Sequence, residues 1–194
     1  IYMPGLFLTA SNPLRTFIES APYEKLFFNS EFFSIQNKKV FPEETREDVS
    51  DQTSTYRGKQ WNIHPRAFLN EWKYKPWLQE KIDEVGLPIE LTDLCALWTI
   101  EYRKGGWQKA HRHGDHNVKK ISAVCYLTPP DPDESASHGA TFAYLYDGLG
   151  NTHDLCYRAD RGDVLIFKST VLHGCYPVRE NKRVFVVDYF YKDK

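Results

Sequence analysis

Residues 111–130 read HRHGDHNVKKISAVCYLTPP, three histidines and an aspartate within seven positions, followed by an apolar run. At strand spacing, positions 111, 113 and 115 project to one face, so side chains at i and i+2 can reach a single ion. Imidazole with carboxylate, leaving coordination positions open, is the donor chemistry of a non-heme ferrous centre. The plain alternative is a chance cluster of histidines on a charged loop. The next segment weighs against chance: Ile121–Leu127 is apolar except for Ser122 and is closed by Pro129-Pro130, which reads as a buried strand. A histidine-rich segment that leads directly into a buried strand belongs to a β architecture.

The surrounding sequence extends that reading. From residue 91 onward, LTDLCALWTIEYR alternates as a strand, and Gly105-Gly106 marks a turn. ATFAYLY is a second strand ended by Asp147-Gly148. Arg161-Gly162-Asp163 turns into VLIF, and RVFVVDYFY closes the chain. Short strands separated by Gly and Pro turns predict a sandwich or barrel. Residues 1–90 read as mixed and partly helical. Pro13–Ser20 is a candidate short helix, and residues 43–60 are polar and charged, an expected exposed loop or substrate lid. Phe68, Leu69, Trp72, Trp77, Leu78 and Ile82 are spaced for one helical face across 65–85, with a break expected at Pro76 and a stop at Gly86-Leu87-Pro88. The expected organisation is a single domain over 1–194, in which a partly helical 1–90 supports a jelly-roll core over 91–194.

Composition narrows the function classes. With 41% hydrophobic and 26% charged residues in 194, the chain is ordinary for a globular protein, and a formal net charge of −1 argues against a nucleic-acid partner. Its 15% aromatic content suits pleated faces. No run approaches the roughly 20 apolar residues of a membrane span. Cys95, Cys125, Cys156 and Cys175 form no CxxC pair, and residues 1–5 carry no basic n-region. Both features lead to the expectation of a reducing, cytoplasmic setting.

Two metal chemistries compete for HRHGDHN. His111 to His116 fits HxHxDH, the zinc signature of the metallo-β-lactamase hydrolases. That signature opens a helix and needs further histidines downstream; here a strand comes next, and the later GDVLIF has no GHT-type histidine before it. The inner His113-Gly114-Asp115 fits HxD, and His173, in GDVLIFKSTVLHGCYPV, stands where a late third ligand would, with Arg183 ten positions on.

The segments IEYRKGGWQKAHRHGD, ISAVCYLTPP, GATFAYLY, RGDVLIFKSTVLHG and NKRVFVVDYF together resemble the 2-oxoglutarate/Fe(II)-dependent oxygenases, in particular their prolyl-hydroxylase-like bacterial and phage branch. The resemblance implies a double-stranded β-helix, a cupin-like jelly roll, using Fe(II), 2-oxoglutarate and O2. It implies His113, Asp115 and His173 as iron ligands, and Arg183 as the anchor for the far carboxylate of 2-oxoglutarate. Tyr126 and Tyr102 fall where such proteins line the cosubstrate pocket. One spacing points elsewhere: a first ligand nine residues after Tyr102 is His111, which makes a three-histidine site or leaves Asp115 behind a ligand. The implied partner is a peptide or small-molecule substrate whose hydroxylation is coupled to decarboxylation of 2-oxoglutarate. A catalytically silent jelly roll that binds a ligand in the same pocket is the alternative from another class.

Overall fold

In the computed structural model, the alternating pattern that begins near residue 91 forms one long strand. The structure describes residues 46–48, 54–63, 65, 68, 71–84, 86–114, 117–131, 137–146 and 152–194. The Pro13–Ser20 helix and Leu69 lie outside them. The described residues form nine strands. In chain order they are β1 (Arg46–Asp48), β2 (Thr55–Ile63), β3 (Ile89–His111), β4 (Lys120–Tyr126), β5 (Thr141–Tyr146), β6 (Thr152–Tyr157), β7 (Val164–Lys168), β8 (Leu172–Cys175) and β9 (Lys182–Asp193). A helix, α1 (Glu71–Glu84), lies between β2 and β3.

The strands pair antiparallel in the order β6-β5-β8-β3-β9-β4-β7, with β2 also on β3 and β1 on β2. In a flat sheet β8 and β7 would stand four spacings apart, about 19 Å. The rings of Phe167 on β7 and His173 on β8 are instead 4.4 Å apart. The sheet therefore curls until its β7 edge meets β8, and the three residues between those strands close the turn.

Closure gives each central strand two buried faces. All seven residues of β4 are buried, which is why ISAVCYL reads as largely apolar instead of alternating. Its outer face packs on α1, where Tyr74 Oη lies 3.5 Å from Cys125 Sγ, and on β9 Phe185 and Tyr189 stack near Phe68 and Tyr74. Its inner face carries Ser122, Val124 and Tyr126 toward the interior of the curl.

Three expectations are corrected here. Pro76 does not break the helix: α1 runs through it with Pro76 exposed. A mid-helix proline costs about 3 kcal/mol. Complete burial of Leu78 and Ile82 alone returns about 1.5–3 kcal/mol each, with Tyr74 and Trp77 on the same face. Gly105-Gly106 is not a chain reversal but an irregularity inside β3. Gly105 takes φ +75°, and the backbone there exchanges hydrogen bonds with Val178. Finally, 55–60 and 46–48 are strands, not loop. β2 is mostly polar because one face looks to solvent; Gln60 and Ile63 are the residues it buries.

Gly174 fixes how closely β8 can lie on β3 and β5. A Cβ there would sit 2.5 Å from the Gln108 carbonyl oxygen and 2.4 Å from Phe142 Cζ. Gly174→Ala is expected to destabilise the protein by about 1–3 kcal/mol. Chemical denaturation checks this, and an unchanged midpoint would contradict the close approach.

Candidate metal centre

The antiparallel register of β3 and β8 sets His111 directly opposite His173. His113, two residues beyond on the chain leaving β3, has its backbone N–H donating to Ser169 O at 2.9 Å, just past β7. The closure of the sheet thus brings three histidines together. One ring nitrogen of each lies within 4.8 Å of the others, and the Nε2 atoms of His111 and His113 are 3.1 Å apart.

The far side of each ring is engaged. His111 Nδ1 is 3.0 Å from Lys109 O and His173 Nδ1 is 2.9 Å from Val171 O. A carbonyl oxygen only accepts, so both nitrogens carry the proton and both Nε2 atoms hold lone pairs. His113 Nδ1 meets Ser122 Oγ at 2.8 Å and Asp188 Oδ1 at 3.4 Å. Burial and the neighbouring His113 hold His111 down to about 4, and burial likewise holds His173 well below the usual imidazole value. His111 and His173 are therefore neutral nitrogen donors whose Nε2 atoms carry no proton. That is the state a metal ligand must have, and imidazole suits iron as it suits zinc and copper.

The cluster forms the floor of a cleft of roughly 360 Å³, part of it open to solvent. Trp98, Ile100, Val124, Val184 and Val186 make it apolar, and Trp98 stacks edge-on to His113 at 4.8 Å. Tyr102, Gln108, Thr141 and Lys182 give it a polar end. There Tyr102 Oη donates to Gln108 Oε1 at 2.9 Å, and Tyr126 Oη lies 2.6 Å from Thr141 Oγ1. Burial pushes both phenols well above their ordinary values, so both remain protonated.

The structure brings together some of the residues expected from sequence and separates others. His111, His113 and His173 are together, and Tyr102 lines the same cleft with Tyr126 beside it. Asp115 lies outside the described residues. Arg183 is not brought in: its Nε is 3.0 Å from Glu101 Oε1 on the opposite face of the sheet, and the chain positions pair across β3 and β9. The cation inside the cleft is Lys182. It donates to Gly139 O, reaches Cys175 Sγ at 3.4 Å and lies 5.1 Å from the Tyr126 ring centre. Lys182, Thr141, Gln108, Lys120 and Asp188 stand in no motif, and sequence reasoning missed them. A parity count along β9 carries the relevant signal, since 182, 184, 186 and 188 share the inner face. The strand after the cluster, β4, also leaves no helix for the zinc-hydrolase pattern.

Residues 96–187 match the family described as putative 2OG-Fe(II) oxygenase. The matched segment spans just under half of the chain and is similar to the 2OG-Fe(II) oxygenases. Solved structures with a similar fold share the double-stranded β-helix. A Pseudomonas putida prolyl-4-hydroxylase is similar with a TM-score of 0.56 at 18% identity, covering 90% of this chain and 89% of that one. A Trichoplax adhaerens prolyl hydroxylase in complex with a hypoxia inducible factor oxygen degradation domain peptide fragment gives 0.57 at 14%, covering 89% and 80%. SnoN, a non-heme α-ketoglutarate-dependent epimerase from nogalamycin biosynthesis, gives 0.57 at 11%, covering 84% and 72%. No curated protein sequence matches. The matched family implies Fe(II) and 2-oxoglutarate as cofactors, with O2.

Alanine at His111, His113 or His173 is expected to abolish one-equivalent Fe(II) or Co(II) binding in anaerobic titrations of metal-free protein, while Asp115→Ala retains it. Loss of binding in Asp115→Ala would add that carboxylate to the ligand set.

Proposed function

We propose that the protein is a 2-oxoglutarate/Fe(II) oxygenase that holds Fe(II) through His111, His113 and His173, holds the far carboxylate of 2-oxoglutarate through Lys182, and hydroxylates a peptide or protein side chain. The observation that carries the ligand set is the orientation of the rings, with Nδ1 engaged outward and Nε2 turned into the cluster. When bound, iron with 2-oxoglutarate and O2 supplies oxidative decarboxylation to succinate and CO2, coupled to oxidation of a C–H bond.

The chain's own residues do the rest. Lys182 offers a compact positive charge at the polar end of the cleft, as a carboxylate requires. The Tyr126–Thr141 hydroxyl pair lies near it and has one hydroxyl proton left to donate. Trp98, Ile100, Val124, Val184 and Val186 keep water from the space between the histidines and that end, which strengthens the charge contact. On the outer side of the strands bearing His111 and His173, Tyr56, Trp107 and Tyr176 are exposed, with the Tyr56 and Trp107 rings 5.7 Å apart. Amphipathic aromatic rings of this kind suit a peptide surface. The peptide bound by the Trichoplax adhaerens relative supports the same substrate class.

Adding Fe(II) and then 2-oxoglutarate anaerobically is expected to give a weak visible charge-transfer band that needs both. Lys182→Ala should weaken 2-oxoglutarate binding by about 2 kcal/mol or more, roughly 30-fold, with iron retained. Arg183→Ala should leave binding within about threefold, as expected for an exposed surface pair. The opposite ranking would make Arg183 the anchor. Absence of the band, with no succinate formed in air, would leave a binding module and not an enzyme.

A further inference from the structure

His113 is gripped at both ends by one buried ion pair. Its carbonyl oxygen accepts from Lys120 Nζ, and its Nδ1 faces Asp188 Oδ1 at 3.4 Å. Lys120 Nζ and Asp188 Oδ2 are 3.1 Å apart, with the two side chains only 10% and 1% exposed. Asp188 occupies the inner face of β9, in line with Val184 and Val186, opposite Ser122 on β4 and Ala96 on β3. A carboxylate in this apolar stripe is costly to bury. Its Oδ1 is buried with no hydrogen bond, although buried acceptors nearly always have a donor.

His113 also differs from the other two histidines in how its ring proton is placed. His111 and His173 have their protons placed on Nδ1 by backbone carbonyls two residues earlier, Lys109 and Val171. His113 lies beyond the end of β3, and side chains take over that task. Ser122 Oγ, 2.8 Å from Nδ1, can donate or accept, and so can Ser169 Oγ behind it at 3.1 Å. The serine pair therefore leaves the tautomer of His113 open. A carboxylate accepts only.

We propose that Asp188 is a positioning residue for the metal centre: it holds His113 as the Nδ1–H tautomer, so that Nε2 keeps its lone pair for the metal, while Lys120 fixes both the carboxylate and the His113 backbone. The inference rests on His113 being a metal ligand. Asp188 acts through His113 and touches neither substrate nor metal. With Asp188→Asn, the amide can donate to Nδ1 and drive the proton to Nε2, which blocks coordination.

The test reads the tautomer directly and the metal separately. In metal-free protein above neutral pH, long-range ¹⁵N–¹H spectra of the histidine rings should show His113 protonated on Nδ1. Asp188→Asn should shift it to Nε2, and Ser122→Ala should leave it unchanged. Co(II) affinity should fall about 10–100-fold in Asp188→Asn, with a changed Co(II) absorption spectrum. An Asp188→Asn protein that keeps the Nδ1–H form and binds Co(II) within about threefold of wild type would overturn the proposal, being well short of the effect of a lost ligand partner. Wild-type protein that takes up no Co(II) would instead overturn the ligand assignment beneath it. If Asp188→Asn fails to fold because Lys120 is left unpaired, the Asp188→Asn/Lys120→Met double variant removes both charges and takes the same two measurements.

Discussion

The pairing of β8 with β3 is the constraint on which the site depends. It sets His111 against His173, and it works only because Gly174 lets the Gln108 carbonyl and the Phe142 ring approach to a distance no side chain would tolerate. β8 is four residues long and holds its place through neighbours on both sides, β3 and β5. The short turn from β7 then commits the opposite edge of the sheet to the same place. Closure, the grouping of the histidines and the apolar walls of the cleft are consequences of one register.

A second layer of order comes from charge. The protein buries Lys120 and Asp188 together at the point where β4, β9 and the chain leaving β3 meet. Such a pair contributes little net stability compared with apolar residues of the same size, but removing one partner costs about 3–5 kcal/mol. Its value is geometric: it links the backbone and the ring of one histidine to two strands. The tyrosine, threonine and lysine groups at the other end of the cleft form a separate polar set. The chain therefore places its polar chemistry at two ends of an otherwise apolar interior.

Much of this fold is legible in the sequence, for identifiable reasons. Apolar runs such as ISAVCYL and VLIF mark strands covered on both faces, and the strand-like continuation after HRHGDHN separates the oxygenase pattern from the zinc-hydrolase one. Local signals mislead where tertiary packing outweighs them. Pro76 reads as a break, yet Leu78 and Ile82 bury completely beyond it. Gly105-Gly106 reads as a turn, yet its backbone is paired with Val178. Polar 55–60 reads as loop, because one solvent-facing side hides the alternation. Within the site, Lys182 and Arg183 are adjacent in sequence, and only strand parity tells which of them faces the cleft. Sequence spacing is good to a residue or so, and in a strand one residue decides the face.

The length of β3 ties the metal pocket to the stability of the core. This single 23-residue strand carries Leu91 and Leu97 in the core at one end and His111 at the other, and it pairs along its course with β2, β8 and β9. That shared strand couples the pocket to the core, and a ligand that binds only the folded protein stabilises the unit they form. A ligand present at 100 times its dissociation constant would add about 2.7 kcal/mol to that unit. Scarcity of iron or 2-oxoglutarate would then act on the amount of folded protein as well as on its turnover.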